Sequence, residues 1–263
     1  MERKQVPRLQ KRATKVTVLF VNRIRVTEAL RLGLLAAPAL SLTLGSALAA
    51  PTIQLKGRIS GYEKLVPEVS TEPQRTPQTS YAWRIPWALR ARFPLLVSRE
   101  ICVVAFPANA VKDAPALDPV LIKVTGGRTN PVTLVVTPGT RIAFKNGDPF
   151  AHDLTSAAAN WSRAPLQPGG TREWSPTAPG VAEFRDEFFP SVRTFVVAEK
   201  NVAAFAFPSD KDGSFVFSLP AGDYTLKAYF GGHPVGKPMT DVKVPQRGPA
   251  ELKEALVVSA ESK

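Results

Sequence analysis

The sequence predicts an all-β fold, and three observations carry that expectation. Proline and glycine are dense, 25 and 17 of 263 residues, and they interrupt the chain too often for long helices. Between them lie short runs rich in Val, Ile, Phe and Thr, residues that suit a pleated, half-buried surface. Many of these runs alternate apolar and polar residues with the period that a strand requires. At 44% hydrophobic residues, the chain holds enough apolar surface for one large core or two small ones.

The formal charge of +12 is unevenly placed. Residues 1–49 carry nine Lys or Arg against Glu2 and Glu28, whereas the remainder sets 25 basic against 20 acidic residues. That mild excess does not support a nucleic-acid partner. Residues 1–49 read as a signal peptide: Arg23, Arg25 and Arg31 precede the apolar run 32–44, and Ala47-Leu48-Ala49 matches the small-residue cleavage pattern. The apolar run contains Pro38 and is short for a membrane span, so an uncleaved anchor is the less favoured alternative. The expected location is the periplasm, the cell surface or the medium. Cys102 is the only cysteine, which rules out an intramolecular disulfide. Its setting, Ile101-Cys102-Val103-Val104, reads as a buried strand, with a reactive thiol as the sharper alternative.

Beyond the signal, residues 53–61 (IQLKGRISG) alternate and end in Gly, as a first strand would. Residues 62–96 contain Pro67, Pro73, Pro77, Pro86 and Pro94, and no long regular element fits there. Within them Trp83, Arg84, Trp87 and Arg90 interleave aromatic and basic side chains, a candidate surface for glycans, lipids or acidic partners. The plainer alternative, which we favour, is an irregular segment that buries its rings and packs its Arg stems alongside. Residues 99–106 (REICVVAF) form the best buried strand of this half, followed by a loop over 109–118 and a strand over 120–124. Gly126-Gly127 then turns the chain.

Residues 132–197 organise the rest. Thr133 to Val136 suit a strand, Pro138-Gly139 a turn, and residues 141–144 a half-buried strand. Asn146-Gly147-Asp148-Pro149 is a tight loop that delivers His152 to the next extended segment. Pro168-Gly169-Gly170-Thr171 and Trp174 mark another turn and strand, and Ala178-Pro179-Gly180 leads into a segment ending at Phe195. This run resembles the cupredoxin (plastocyanin-like) family, whose N-x-D…H motif presents the first copper ligand at one end of a β-sandwich. The resemblance implies a Greek-key sandwich with a ligand loop spaced C-x-x-H-x-x-M. Here that loop reads Phe184 to Phe195, and alignment on Pro190 puts Asp186, Phe189 and Val192 where the family has Cys, His and Met. Only His152 remains of the four ligands, so the resemblance implies a degenerate copper site, closed by apolar packing in which Phe189 and Val192 replace two ligands and Phe188 and Phe195 add bulk nearby.

The last part starts near Ala198. Asp210-Lys211-Asp212-Gly213 and Pro220-Ala221-Gly222-Asp223 are turns, and alternation around them predicts three antiparallel strands, the first turn being a hairpin. Residues 241–244 and 255–258 are the expected last strands. The pattern D-x-D-G-x-F…L-P-x-G-x-Y-x-L resembles the carboxypeptidase regulatory-like (transthyretin-like) β-sandwich. That family opens with G-x-[IV]-x-G and an apolar strand, which residues 57–61 and 99–106 match well upstream. The resemblances together imply an all-β protein of two β-sandwiches, similar in pairing to methylamine-utilisation-like periplasmic proteins. The expected organisation is a signal peptide over 1–49, a cupredoxin-like unit over 108–197, and a regulatory-like sandwich split between 50–107 and 198–263. A plain tandem order, with residues 53–106 as an independent subdomain, is the alternative.

The candidate chemistry is sparse. His152, His233, Cys102 and Met239 are the right types for a copper set, but they lie on segments assigned to different strands and sandwiches. An open copper site from His152 with Asp148, Asp153 or Asp186 remains as an alternative; of these, His152 and Asp186 are the candidate metal residues. The favoured reading of His152 is a loop-end histidine bonded to neighbouring backbone. Asp210 and Asp212 are explained by turn chemistry, because the loop lacks the further carboxylates a calcium site needs. Glu183, Asp186 and Glu187 are interleaved with Arg185 and Arg193 and read as a charge-balanced loop. No nucleophile elbow or zinc-hydrolase motif occurs in the sequence. The expectation is an exported, non-catalytic protein without a cofactor, having a binding or structural role toward cell-envelope components or another periplasmic protein. Two alternatives stand beside it: a copper-binding or electron-transfer protein using an altered site around His152, and an envelope glycan or lipid binder using Trp83 and Trp87.

Overall fold

A computed structural model describes residues 51–65, 95–109, 117–189 and 191–259. Residues 1–49, expected to be a signal peptide, and Trp83, Arg84, Trp87 and Arg90 lie outside the described residues. Strands β1 (Thr52–Ser60) and β2 (Ile101–Pro107) come first, the latter preceded by one helical turn, Val97–Glu100. Eight strands follow: β3 (Val120–Val124), β4 (Thr129–Asn130), β5 (Thr133–Val136), β6 (Ile142–Asn146), β7 (Leu154–Thr155), β8 (Thr171–Trp174), β9 (Gly180–Asp186) and β10 (Arg193–Ala198). The chain then forms β11 (Ala204–Ala206), β12 (Ser214–Pro220), β13 (Gly222–Phe230), β14 (His233–Val244), β15 (Ala250–Glu251) and β16 (Leu256–Val257). Among the described residues no helix is long and apolar enough to cross a membrane.

The strands before β3 pair with the strands after β10. One sheet places β1 between antiparallel β12 and the short parallel strands β15 and β16. The facing sheet is antiparallel throughout, in the order β11-β2-β13-β14. Alternation sends Leu55 and Ile59, Ile101, Val103 and Ala105, and Phe215, Phe217 and Leu219 into the core between them. Burying one such Val, Leu, Ile or Phe side chain contributes about 1.5–3 kcal/mol.

The intervening strands make a second sandwich. Its sheets run β4-β3-β6-β8 and β5-β10-β9-β7, with parallel pairing of β3 to β6 and of β5 to β10. Ile122, Val124, Leu134, Val136, Phe144 and Phe184 fill the space between them. Phe184 lies at the centre of a ring cluster, 4.6 Å from Phe144, 5.2 Å from Trp161 and 5.1 Å from Trp174 between centroids.

A third core joins the two sandwiches. The faces of β2 and β13 turned away from their own core carry Cys102, Val104 and Tyr229, and these pack with Val135 of β5 and Val197 of β10. This explains the unbroken apolar run at 101–105: β2 is buried on both faces, so it needs no polar alternation. Cys102 is fully buried there, and loss of hydration pushes its thiol pKa up to about 12, leaving it inert at neutral pH.

Several expectations are corrected. The strand assigned to 99–106 begins only at Ile101, because residues 97–100 make a helical turn held by Asp210, whose carboxylate accepts the Ser98 N–H (2.9 Å) and hydroxyl (2.6 Å). The Asp210–Gly213 turn does not close a hairpin. It carries the chain from β11, paired to β2, across to β12, paired to β1 in the other sheet. The turn at 220–223 crosses back in the same manner, from β12 to β13. Alternation correctly implies half-buried strands here, but β11 and β12 take partners from the first part of the chain, and β13 lies between β2 and the adjacent β14. The strand expected at 241–244 is the end of a longer one, β14, and the strand expected at 255–258 is confined to β16.

Candidate functional site

At one end of the second sandwich three loops meet around His152. Asn146, buried at the end of β6, begins the arrangement. Its side-chain oxygen accepts the Asp148 N–H at 2.8 Å, and its amide donates to the Phe150 and Leu166 carbonyls at 2.7 and 2.8 Å. This side-chain-to-backbone capture shapes the loop as a short polar residue beside a turn commonly does. His152 then pairs with Leu166 through both backbone bonds, 3.1 and 2.7 Å. The imidazole is thereby held, fully buried, between two carboxylates.

Nδ1 of His152 lies 2.9 Å from Asp186 Oδ2, and Nε2 lies 3.0 Å from Asp148 Oδ2. An ionised carboxylate only accepts, so both bonds require a proton on each ring nitrogen, which is the imidazolium form. The carboxylates are satisfied further by five backbone N–H groups. Asp148 accepts from Gly126 and Gly127 at 2.5 and 2.9 Å, and Asp186 from Phe188, Phe189 and Asp153 at 2.8, 3.0 and 3.0 Å. Burial alone would lower the imidazole pKa, but the bonds to Asp186 and Asp148 outweigh it and the net shift is upward. Burial alone would raise both carboxyls. His152 and the amides of Phe188 and Phe189 hold Asp186 below the usual range, and Gly127, His152 and Gly126 do so for Asp148. The result is a salt-bridged staple linking the turn 125–128, the loop 146–152 and residues 186–189.

Apolar side chains close only part of the remaining space. Phe189 and Phe150 pack against the imidazole, with ring centroids at 5.3 and 5.0 Å, and Val192 is fully buried in the second core. Phe188, expected to add bulk beside His152, is exposed and lies beneath the Arg163 guanidinium. Phe195, expected in the same place, points out of the other face of β10, under Arg193. Arg185 and Arg193 both reach Glu183. Arg163 joins Asp153 and Glu187 at 3.0 and 2.8 Å, so those acids belong to a surface ion network.

The structure does not gather His152, His233, Cys102 and Met239. Cys102 lies in the core between the sandwiches, Met239 packs on the first core, and His233 is exposed beside the β13–β14 turn. Among the described residues, no group of three or more His, Cys, Asp or Glu is arranged to hold a metal ion. Asp212 caps its own turn through the Ser214 N–H and hydroxyl, at 3.1 and 2.7 Å. The partner that sequence reasoning missed is Asp148, taken there for a turn residue and a candidate ligand. The only available signal was its place four residues before His152, together with a Gly-Gly turn offering two free amides.

No family model matches the chain, and no curated protein matches it. Solved structures match over about a third of its length. A purple cupredoxin from Nitrosopumilus maritimus is 22% identical, covers 30% of this chain and 99% of its own, and has a TM-score of 0.27. Amicyanin from Paracoccus versutus is 13% identical, with 36% of this chain and 97% of its own covered, at a TM-score of 0.29. A reduced amicyanin variant is 18% identical, covering 36% of this chain and 99% of its own, at 0.27.

Proposed function

We propose that this is an exported, non-catalytic β-sandwich protein with a binding or structural role in the cell envelope. Its cupredoxin-like unit, residues 108–197, carries a salt-bridged staple in place of a copper ion. The observation that carries this reading is the double engagement of His152. A histidine ligates a metal through a neutral ring nitrogen with a free lone pair, and here both nitrogens face carboxylates at 2.9 and 3.0 Å. Asp186, at the position where the resemblance puts a copper-binding cysteine, is part of the same staple. A copper or electron-transfer role through this site therefore requires the staple to open first. The surrounding sandwich, 50–107 with 198–263, is read as regulatory-like, and the pairing of β2 with β13 and of β1 with β12 supports an inserted order.

Copper titration tests the proposal. Cu(II) and Cu(I) added to the purified protein should bind weakly, with no loss of binding in His152→Ala. Tight stoichiometric binding that His152→Ala abolishes would restore the metal reading and end this one. Export has its own test. N-terminal sequencing of protein recovered from the producing cells should start at or near Ala50, and peptides from residues 30–44 in the recovered protein would contradict it.

A further inference from the structure

The turn that Asp148 anchors is also one wall of a cleft at the junction of the sandwiches. Thr125 and Arg128 close the β3–β4 turn through a 2.8 Å bond from the Thr125 N–H to the Arg128 carbonyl. Gly126 and Gly127 occupy the turn with φ of +62° and +65°, which side chains rarely tolerate. Lys123 pairs with Asn130 and Val124 with Thr129. Alternation therefore puts Lys123, Thr125, Arg128 and Asn130 on one face, while Val124 and Thr129 are buried on the other. Leu96, Ser98 and Arg99, from the helical turn before β2, complete a cavity of about 370 Å³ with that face.

The charge in this cavity is one-sided. Arg99 uses Nε and Nη2 on buried Glu100, at 3.3 and 3.1 Å, and that carboxylate offsets one cation. Arg128 acts on Glu100 only through space. Among the described residues, Lys123 and Arg128 have no ion-pair partner, and no acidic side chain lines the cavity. The Ser98 hydroxyl is committed to Asp210 and that of Thr129 to the Arg193 carbonyl, so Thr125 and Asn130 are the neutral donors left. The wall is also preorganised. Asp148 holds both glycine amides, and the Ser191 hydroxyl donates to the Gly127 carbonyl at 2.6 Å, before any ligand arrives.

We propose that this cleft binds a phosphoryl group carried by a small molecule. A tetrahedral dianion accepts from several donors at once, which suits Lys123, Arg128, Thr125 and Asn130 on one wall of the cavity, and the Arg128 guanidinium matches its geometry. The volume is at the lower end for a small-molecule site, and junctions between domains are a common place for one. Because Lys123 and Arg128 are exposed, binding should weaken as salt rises. The proposal stands apart from the reading of the metal position, and its failure would leave that reading untouched.

The test titrates inorganic phosphate, glycerol phosphate and acetate into the full chain at low ionic strength, read by equilibrium dialysis. Saturable one-site binding of both phosphates is expected, at least tenfold weaker in the double variant Lys123→Gln/Arg128→Gln. Both side chains are exposed, and an unchanged near-ultraviolet spectrum will verify the fold of that variant. Lys237→Gln, on an exposed part of β14, should bind as the parent does. Three results would overturn the proposal: no saturation, equal binding by the double variant, or acetate binding as tightly as phosphate.

Discussion

At the scale of single residues, His152 sets the pH behaviour of the second sandwich. Its pKa is raised in the fold, so its contribution is fully present below the unfolded value of about 6.5 and is lost as pH rises through the folded value. The carboxyls of Asp148 and Asp186 are lowered. Their contribution is present above about 3.9 and lost as pH falls through their folded values. Thermal unfolding midpoints should therefore be highest in the weakly acidic range and decline on both sides. In His152→Gln the alkaline decline should flatten, and an unaltered profile would refute the imidazolium assignment. His152→Ala leaves two buried carboxylates without their cation and should cost about 3–5 kcal/mol in urea unfolding. Sequence legibility at this scale was partial. Asp148 read correctly as a loop residue delivering His152, whereas Asn146 is the last residue of β6, and the bond from Asp148 to the ring spans a turn whose closure depends on Gly126 and Gly127. Phe188 and Phe195 read as apolar filling, and no local signal indicates which face of a strand or loop a phenylalanine will take.

Among the elements, the Asp210–Gly213 turn is the most exacting. Gly213 has φ of +68°, and a Cβ added there would lie 2.9 Å from both the Ile59 carbonyl oxygen and its Cγ1. The oxygen belongs to backbone in β1 and cannot swing aside, while the Gly213 carbonyl accepts the Ile59 N–H at 2.9 Å. Gly213→Ala should destabilise the protein by about 2–3 kcal/mol from backbone strain and crowding together. A shift of denaturant midpoint worth less than half of that would mean that β1 and the turn yield easily. The D-x-D-G pattern identified this turn, and alternation identified strands beside it. The pattern was silent on whether the two strands pair or part, because a tight turn serves a hairpin and a crossing between facing sheets equally well.

For the whole molecule, Cys102, Val104, Val135, Val197 and Tyr229 form a core shared by the two sandwiches. Each sandwich also has its own core, and the shared one should make them unfold together. Val197→Asp would bury an unpaired carboxylate there, at a cost of about 3–5 kcal/mol. Calorimetry should then record two transitions for the variant and one for the parent protein. A single transition at the parent midpoint would mean that the sandwiches are coupled elsewhere.

By itself the sequence determined the strand-rich class, most strand positions, the burial of Cys102 and the loop that presents His152. These follow from periodicity, turn residues and apolar runs, all of which are local. Only the tertiary structure decided that β2 is covered on both faces, that β11 and β12 part to opposite sheets, and that Asp148 and Asp186 close on one imidazole. Each of those depends on which distant segment supplies an edge, a face or a charge, and a periodic pattern carries no record of its partner.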